Sequence, residues 1–249
     1  MKIEKNDLFD YPNMCIYQEI QSFKFSLDSI LLSEFVDFKK TDQQILDICS
    51  GNAVIPMVLS TKTKLPITAF EIQKNIFDLG IMSIKENNLE DQITLINDDI
   101  KNIANYCNYE NYDIITCNPP YFKVEPQGFI NKSNNLSIAR HEICLELEDI
   151  FKISFKYLKN LGRLYLVHRV SRLDEIIILA NKYRMNVKVI QLISTNKDNK
   201  PYLVLVKCVK NSKNGVIINS PINILNLKTY QNLFKRWYYE NGCRIRESW

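Results

Sequence analysis

Short apolar segments alternate with amphipathic ones along most of the chain. Five runs of four or five mostly apolar residues predict buried strands, because strands covered on both faces are nearly continuous in apolar side chains. Stretches with the apolar spacing of helices begin near Ala53, Gln73, Ile100 and Glu146. The alternation predicts an α/β protein with a doubly wound, mostly parallel sheet. The predicted strands are residues 45–48, 67–70, 93–96, 112–116 and 163–167.

Two further apolar runs, residues 186–190 and 202–206, are joined by a polar segment without a helix pattern. This spacing predicts an antiparallel pair of strands at the edge of the sheet. The segment from Phe122 to about Leu145 is long for a connection within a compact domain, and such loops often bind ligands. We expect one domain over residues 1–210, followed by a basic, aromatic tail over residues 211–249.

Composition narrows the class of protein. With 46% hydrophobic residues among 249, the chain can bury a large core. No stretch approaches the roughly 18 uninterrupted apolar residues that span a bilayer, and the first residues lack the apolar run of a signal peptide, so we expect a cytoplasmic protein. Seven cysteines are scattered singly and there are only two histidines, which predicts chemistry without a metal ion.

The net charge of +4 is unevenly distributed. Residues 197–249 carry ten Lys/Arg and three Asp/Glu, whereas residues 1–196 carry 22 and 25. A basic segment of this kind can bind the phosphates of a nucleic acid. The alternative is that Lys and Asn are simply abundant in this chain.

The first candidate site is the turn after the first predicted strand, which contains Asp47, Cys49, Ser50, Gly51 and Asn52. In doubly wound sheets ligands bind outside the carboxyl ends of the strands, where small residues let the backbone approach a cofactor. The turn therefore predicts a cofactor site. A tight structural turn is the alternative.

Acidic residues follow the next two predicted strands. Glu71, beside Ile72, lies at about the distance from the Asp47 turn at which a carboxylate binds ribose hydroxyls in nucleotide-binding folds. Asp98 and Asp99 follow the third strand, where either can accept an adenine amino group, and Asp99 is favoured. The structural alternatives are an acid at a helix N-terminus for Glu71 and a helix cap for Asp98 or Asp99.

Asn118, Pro119, Pro120 and Tyr121 directly follow the fourth predicted strand. The two prolines hold the chain in a stiff, extended form. The Asn118 side-chain oxygen and the Pro119 carbonyl can then accept both hydrogens of an exocyclic amine, while Tyr121 stacks on the base. These four residues predict methylation of a planar amine or amide. A proline-rich turn with a packed aromatic is the alternative.

Together these segments resemble the class I S-adenosylmethionine-dependent methyltransferases and, among them, the bacterial tRNA1(Val) adenosine-37 N6-methyltransferases. The likeness extends over about residues 15–210 and is carried by residues 21–32, the Asp47 turn, residues 118–122 and parts of residues 139–173. The resemblance implies S-adenosylmethionine as cofactor, S-adenosylhomocysteine as product and tRNA as partner. It implies N6-methylation of an adenine, most specifically adenosine 37 in the anticodon loop of tRNA1(Val).

The resemblance also implies a role for each candidate residue. The Asp47 turn lines the methionine end of the cofactor, Glu71 its ribose and Asp99 its adenine. Phe25 and Asp28 border the pocket ahead of a helix capped by Asp28. Cys49 stands where such enzymes usually have glycine. The cofactor candidates are thus Phe25, Asp28, Asp47, Cys49, Ser50, Gly51, Asn52, Glu71, Ile72, Asp98, Asp99 and Asn118.

Basic residues and a long loop are the candidates for RNA contact. Arg140 and His141 end the long loop and either position RNA or form a structural ion pair, whereas His168 reads as a packed histidine. Other substrates open to the same chemistry are rRNA or DNA adenine and protein glutamine, and a non-catalytic tRNA-binding module is the alternative of another class. A monomer is favoured. The RNA candidates are Arg140, His141, Lys207, Lys210, Lys235, Arg236, Arg244 and Arg246.

Overall fold

A computed structural model describes residues 3–8, 11, 13–19, 27–120, 145–194 and 200–224. Strands β1 (Ile3–Asp7) and β2 (Cys15–Glu19) pair antiparallel in a small sheet of their own. The remaining elements build one large sheet and its covering helices. In chain order they are α1 (Leu27–Phe35), β3 (Ile45–Ile48), α2 (Val54–Ser60), β4 (Ile67–Phe70), α3 (Lys74–Glu86), β5 (Ile93–Ile96), a 3-10 helix (Ile100–Asn105), β6 (Tyr112–Cys117), α4 (Leu147–Tyr157), β7 (Leu158–Arg169), a 3-10 turn (Val170–Arg172), α5 (Leu173–Lys182), β8 (Met185–Ser194), β9 (Pro201–Lys210), β10 (Ile217–Ile218) and β11 (Ile222–Asn223).

The large sheet has the strand order β5-β4-β3-β6-β7-β9-β8, and β10 and β11 pair with the outer side of β8. Strands β3 to β7 are parallel, and β9 is antiparallel to both β7 and β8. The strand order reverses between β3 and β6. In a sheet of this kind that reversal opens a crevice at the carboxyl ends of the two strands.

Both faces of the sheet are covered by apolar side chains. Successive strand residues point to opposite faces, so Ile114 packs with α1, α2 and α3 whereas Ile115 packs with α4 and α5. Burial on both faces explains why the central strands are almost wholly apolar. Asp47 and Thr116 interrupt that pattern, and both are fully buried.

The predicted doubly wound fold is confirmed, and β3, β4 and β5 have the predicted bounds. The predicted antiparallel pair is confirmed as β8 and β9, and the structure adds that β9 lies inside the sheet, between β7 and β8. The helix predicted near Ile100 is a six-residue 3-10 helix. The sheet also continues past the predicted boundary at residue 210, through β10 and β11.

The β1–β2 hairpin, which the sequence did not predict, docks on α3. Asn87 at the end of α3 accepts from the Cys15 N–H at 3.0 Å and donates to the Cys15 carbonyl at 2.7 Å. The Tyr17 N–H donates to Ser83 Oγ at 3.0 Å. These hydrogen bonds between the backbone of β2 and side chains of α3 fix the position of the hairpin on the helix.

Candidate functional site

The carboxyl ends of β3 and β6 meet where the strand order reverses. Ile48 of β3 and Cys117 of β6 are partners in the sheet, so the residues that follow them lie side by side. These are the turn that begins at Cys49 and the segment that begins at Asn118. Two candidate segments that are separated by about 70 positions in the chain thus border one crevice.

The turn after β3 is built on left-handed backbone. Cys49 and Gly51 have φ values of +60° and Ala53 has +68°. Ser50 N–H donates to the Phe70 carbonyl at 2.9 Å, and Ala53 N–H donates to the Ser50 carbonyl at 3.0 Å. Left-handed backbone is easy for glycine and strained for other residues. Cys49 therefore holds its conformation against local strain.

Replacing Cys49 with valine is expected to lower the free energy of unfolding by about 2 kcal/mol or more, because a β-branched residue is strongly disfavoured in the left-handed region. Cys49→Gly is expected to change it by less than about 1 kcal/mol, since relief of strain offsets the greater freedom of glycine in the unfolded chain. Chemical denaturation measures both, with Cys15→Val in strand β2 as control. Equal stability of the two Cys49 variants would contradict this expectation.

Asp47 is fully buried beneath the turn. Its Oδ1 atom accepts a hydrogen bond from Thr116 Oγ1 at 2.5 Å. Burial raises the pKa of the Asp47 carboxyl to about 7, and the hydroxyls of Thr116 and Ser50 oppose this rise, although only the Thr116 hydroxyl forms a well-aligned hydrogen bond. Within the described part of the chain, Asp47 Oδ2 and Ser50 Oγ are buried without a hydrogen-bond partner. Such atoms are costly to leave unpaired, so they mark a position that a polar ligand would stabilise.

Glu71 joins the turn to helix α3. Its Oε2 atom accepts from the Gly51 N–H at 2.9 Å, and its Oε1 atom accepts from the Gln73 N–H at 2.8 Å. Burial raises the pKa of the Glu71 carboxyl, and the two N–H donors oppose that rise. Each oxygen can accept a second hydrogen bond. The predicted ribose contact and the alternative of a structural acid are therefore compatible.

Helix α3 and the hairpin support the turn from behind. A Cβ atom at Gly80 would lie 3.4 Å from both the Asn52 carbonyl carbon and the Gly51 oxygen, and 2.6 Å from a methyl of Leu95. Glycine therefore lets α3 approach the turn closely. The Asn52 side chain donates to the Tyr17 carbonyl of β2 at 3.2 Å, so its amide faces the hairpin.

Asn118 is oriented by helix α1. Its Nδ2 atom donates to Ser29 Oγ at 3.0 Å. Because the donor end of the amide is held by α1, the side chain presents Oδ1 as its acceptor end. Pro119 is buried and Pro120 is exposed, in an extended segment directly after β6. That Asn118 and Pro119 together accept the two hydrogens of an amine stays a prediction.

Replacing Ser29 with alanine is expected to lower the turnover number about tenfold with little change in cofactor affinity, because the Asn118 amide loses the contact that fixes its orientation. The matched control is Ser33→Ala, one turn later in α1, whose hydroxyl donates to the Ser29 carbonyl of its own helix. Steady-state kinetics separate the two effects. Equal turnover in the two variants would show that Ser29 does not position Asn118.

Helix α1 begins at Leu27, one residue before the predicted cap. Asp28 therefore lies inside the first turn instead of capping it. There its carboxylate is stabilised by the unpaired N–H groups and the dipole of the helix. The predicted position of Asp28 at the border of the cofactor pocket stays a prediction.

The ends of β4 and β5 border the crevice on its other side. Asp99 caps the 3-10 helix by accepting from the Lys101 N–H at 2.9 Å, so the structural alternative for this residue is confirmed. Asp98 accepts from the Asn102 amide and the Tyr106 hydroxyl, both at 2.8 Å, and these hydrogen bonds lower the pKa of its carboxyl. Asp98 Oδ1 also accepts from the Asp99 N–H at 2.7 Å, so both carboxylates are engaged by their own segment, and the adenine contact predicted for Asp99 or Asp98 stays a prediction.

An apolar edge lies beside these acids. Ile72 is 38% exposed, and the Tyr106 ring packs edge-on against Phe70 with centroids 5.3 Å apart. The Asn97 side chain donates to the carbonyls of Glu71 at 2.8 Å and Ile72 at 3.1 Å. It thereby ties the end of β5 to the end of β4. The result is an apolar surface next to carboxylates, which suits a purine ring with polar edges.

Lys207 and Lys210 make internal contacts. The Lys207 ammonium pairs with Asp37, and the Lys210 ammonium lies 2.8 Å from Glu110 and 2.7 Å from the Leu158 carbonyl. The Lys210 side chain is only 4% exposed, and Lys210 ends β9 at the opposite edge of the sheet from Asn118. These contacts favour structural roles over the predicted RNA contacts, because both ammonium groups are already paired with carboxylates of the protein.

Several candidates lie outside the described residues: Phe25, Tyr121, Arg140, His141, Lys235, Arg236, Arg244 and Arg246. Among the described residues there is no cluster of three or more His, Cys, Asp or Glu side chains that could hold a metal ion. In the same part of the chain, every helix is too short or too polar to cross a membrane.

Four residues of the site were missed by sequence reasoning: Ser29, Asn97, Tyr106 and Thr116. Thr116 carried a readable signal, since it is a polar residue within a buried strand that pairs with the strand of Asp47. Asn97 directly follows a predicted strand end, which is another such signal. Ser29 and Tyr106 gave none, because their contacts depend on how distant elements pack.

Comparison with known proteins agrees with this geometry. The family model described as methyltransferase small domain matches residues 26–191. A tRNA1(Val) (adenine(37)-N6)-methyltransferase of Flavobacterium psychrophilum is 20% identical over 235 residues, which cover 93% of this chain and 99% of that protein. The enzyme of the same name from Tolumonas auensis is 26% identical over 200 residues, or 80% of this chain and 81% of that protein.

Solved structures show the same fold. A predicted O-methyltransferase from Agrobacterium tumefaciens superposes with a TM-score of 0.65 at 18% identity, over 87% of this chain and 96% of that one. Geranyl diphosphate C-methyltransferase from Streptomyces coelicolor, solved with S-adenosyl-L-homocysteine, superposes with a TM-score of 0.54 at 11% identity. The match covers 73% of this chain and 76% of that one. The family model covers two thirds of the chain, and its match includes the Asp47 turn and Asn118. The chain therefore belongs to the methyltransferase small domain family.

Proposed function

We propose that this protein transfers a methyl group from S-adenosylmethionine to N6 of an adenine in tRNA, and that the target is adenosine 37 in the anticodon loop of tRNA1(Val). The observation that carries the proposal is the Asn118 amide, which Ser29 holds directly after β6, beside the strand end from which the Asp47 turn begins. The names of the similar enzymes support the choice of substrate.

The residues of the crevice fit this cofactor. Its ammonium group matches the buried Asp47 carboxylate, whose Oδ2 atom lacks a partner among the described residues. Ser50 Oγ, also unpaired there, can bind the methionine carboxylate end. Glu71 can add ribose hydroxyls to its two backbone contacts, and Ile72 with Asp99 or Asp98 can receive the adenine ring and its amino group.

The protein would contribute to this reaction mainly by positioning the adenine amine against the methyl group. S-adenosylmethionine supplies an electrophilic methyl group when bound. An adenine amine is a weak nucleophile, because its lone pair is delocalised into the ring. Asn118 Oδ1 and the Pro119 carbonyl would accept its two hydrogens and aim the lone pair at the methyl group. One of those protons leaves to solvent after transfer. Tyr121, if it stacks on the target base as the sequence predicts, would hold the adenine out of its loop.

Mass spectrometry of tRNA from a deletion strain tests the proposal. We expect N6-methyladenosine to be lost from one valine tRNA and restored when the purified protein and S-adenosylmethionine are added to that tRNA. Nuclease mapping then locates the modified position. Unchanged N6-methyladenosine in every tRNA of the deletion strain would overturn the choice of substrate.

The alternatives predict different results in vitro. An rRNA, DNA or glutamine methyltransferase would transfer labelled methyl groups to ribosomal RNA, duplex DNA or a release factor and not to tRNA transcripts. A non-catalytic tRNA-binding module would not bind S-adenosylmethionine in calorimetry, even at millimolar concentration. The buried, unpaired Asp47 carboxylate oxygen favours the enzyme over the binding module, since a scaffold gains nothing from it.

A further inference from the structure

Arg169 and Tyr202 form a stacked pair at the carboxyl edge of the sheet. Arg169 ends β7 and Tyr202 lies near the start of β9, and the Arg169 guanidinium carbon is 3.8 Å from the centroid of the Tyr202 ring. Tyr202 is nevertheless 45% exposed. The pair therefore presents an aromatic ring, already oriented by a guanidinium, to the surroundings of the protein.

This pair lies on the same edge of the sheet as Asn118. Cys117 of β6 is the sheet partner of Leu166 in β7, and Arg169 is the partner of Leu203 in β9. With a strand spacing of about 4.8 Å and a rise of about 3.3 Å per residue, the backbones of Arg169 and Tyr202 lie roughly 8–14 Å from that of Asn118. That separation corresponds to one or two nucleotides of an unpaired loop.

Charged residues of both signs surround the pair. Arg172 follows in the 3-10 turn, where it forms a two-pronged ion pair with Glu175 at 2.6 and 2.7 Å, and the exposed Lys200 precedes β9. Buried His168 has a pKa lowered to about 4, first by burial and then by the charge of Arg172, with Arg169 adding to it and Glu175 opposing it. The imidazole is therefore neutral, and its Nδ1 atom accepts the Arg169 N–H at 2.8 Å, which fixes the backbone of Arg169.

These features have the chemistry of a single-stranded RNA contact. Bases stack on exposed aromatic rings whatever their sequence, and a guanidinium binds a phosphate through paired donors. A purely structural stack is the alternative. Two features distinguish the pair from an ordinary surface contact: it lies on the same edge of the sheet as Asn118, and Tyr202 is 45% exposed although its ring is stacked.

We propose that Arg169 and Tyr202 bind the nucleotide next to the target adenine, with its base on the Tyr202 ring and its phosphate on the Arg169 guanidinium. The inference rests on the proposed function, since it assumes an RNA loop in the crevice. The proposed contact determines how the RNA loop is held, and Asn118 remains the residue that acts on the reacting amine.

The test uses the full-length protein and an anticodon stem-loop RNA. Tyr202→Ala is expected to raise the Kd and KM for the RNA about tenfold, with kcat and the Kd for S-adenosylmethionine unchanged. Tyr202→Phe, which keeps the ring, should stay within about twofold of the parent protein. The matched control is Tyr109→Ala, which removes a ring that is 62% exposed and carries Lys156 at 5.5 Å, at the opposite edge of the sheet.

Two further measurements identify the contacts. Removing the base of the flanking nucleotide should weaken binding to the parent protein but add nothing to the effect of Tyr202→Ala, because both changes delete one stack. Arg169→Ala should lower the slope of log Kd against log salt concentration by about 0.7, the value for one phosphate contact on a single strand.

Binding is measured with S-adenosylhomocysteine present, so that it does not depend on turnover. If the parent protein binds the stem-loop and Tyr202→Ala behaves like Tyr109→Ala, the inference fails while the proposed function stands. Additive effects of the missing base and Tyr202→Ala would also overturn it. If the parent protein neither binds nor methylates the stem-loop, the proposed function fails, and the inference fails with it.

Discussion

Asn118→Ala is expected to lower the turnover number by about 100- to 1000-fold, the loss typical of removing one preorganised polar contact to the reacting group. The Kd for S-adenosylmethionine is expected to change by less than about threefold, because Asp47, Glu71 and the turn after β3 remain intact. The physical reason is that the amide oxygen acts on the adenine amine only as the methyl group is transferred.

Single-turnover kinetics with a valine tRNA transcript and calorimetry with the cofactor measure the two effects separately. Asn111→Ala is the matched control, since that amide donates to Gln44 at 2.8 Å just before β6, at the other edge of the sheet. An Asn118→Ala enzyme that keeps more than about a tenth of its turnover would refute the assigned role. Loss of cofactor binding in the same variant would assign Asn118 to the cofactor instead.

Asp47→Asn is expected to stabilise the cofactor-free protein at pH 8 while it weakens cofactor binding. Burial raises the pKa of the folded-state carboxyl to about 7, whereas the unfolded value is near 4. The folded state thus holds the proton more tightly, and stability falls as pH rises from about 4 through about 7. Three pKa units correspond to a penalty of up to about 4 kcal/mol above pH 7, which asparagine would not incur.

Denaturant unfolding at several pH values measures this effect. The free energy of unfolding of Asp47→Asn should exceed that of the parent protein by about 2–4 kcal/mol at pH 8. The difference should shrink to near zero at pH 4. Asp113→Asn is the control, and it should lower the free energy of unfolding at pH 8. Asp113 pairs with Lys159 at 2.9 Å and accepts two backbone N–H groups, which asparagine would bind less strongly. A destabilised Asp47→Asn protein at pH 8 would contradict the raised pKa.

Cofactor affinity should follow the same titration. If the ammonium of S-adenosylmethionine binds the ionised Asp47, the Kd of the parent protein rises about tenfold per pH unit below 7, because the carboxyl must first lose its proton. The Asp47→Asn variant should bind at least about 100-fold more weakly at pH 8 and lose this pH dependence. Calorimetry between pH 5.5 and 7.5 would show a flat parent profile if Asp47 does not meet the cofactor.

The sequence predicted those parts of the fold that local patterns determine. Strands β3, β4 and β5 are short apolar runs bounded by polar residues, so their ends were readable. Helix α5 was missed although its residues Ile176, Leu179 and Ala180 are buried with helical spacing. The position of β9 between β7 and β8 was not predictable from the sequence alone, because it depends on pairing between strands far apart in the chain. The β1–β2 hairpin was missed because its first strand is mostly polar.

The residues of the candidate site also fall into those that local sequence patterns predicted and those that they did not. Asp47 and Asn118 stood out because each is a polar residue at the end of a buried strand. Their partners did not, since Ser29 lies 89 positions from Asn118 and Thr116 lies 69 positions from Asp47. The RNA contacts predicted for Lys207 and Lys210 were based on charge alone. Charge does not reveal that Asp37 and Glu110 lie next to these lysines.

The docking of the β1–β2 hairpin also has a consequence for the order in which the chain folds. An isolated two-stranded hairpin is barely stable in water, and this one is held by the hydrogen bonds of Tyr17 and Cys15 to α3 and by the burial of Leu8 and Ile16 in the core. During synthesis, strands β1 and β2 leave the ribosome before α3 and have nothing to pack on until α3 has emerged and settled on its sheet. These two strands are therefore made before α3 but become ordered after it, and the turn at Asn52 gains its outer support only at that moment.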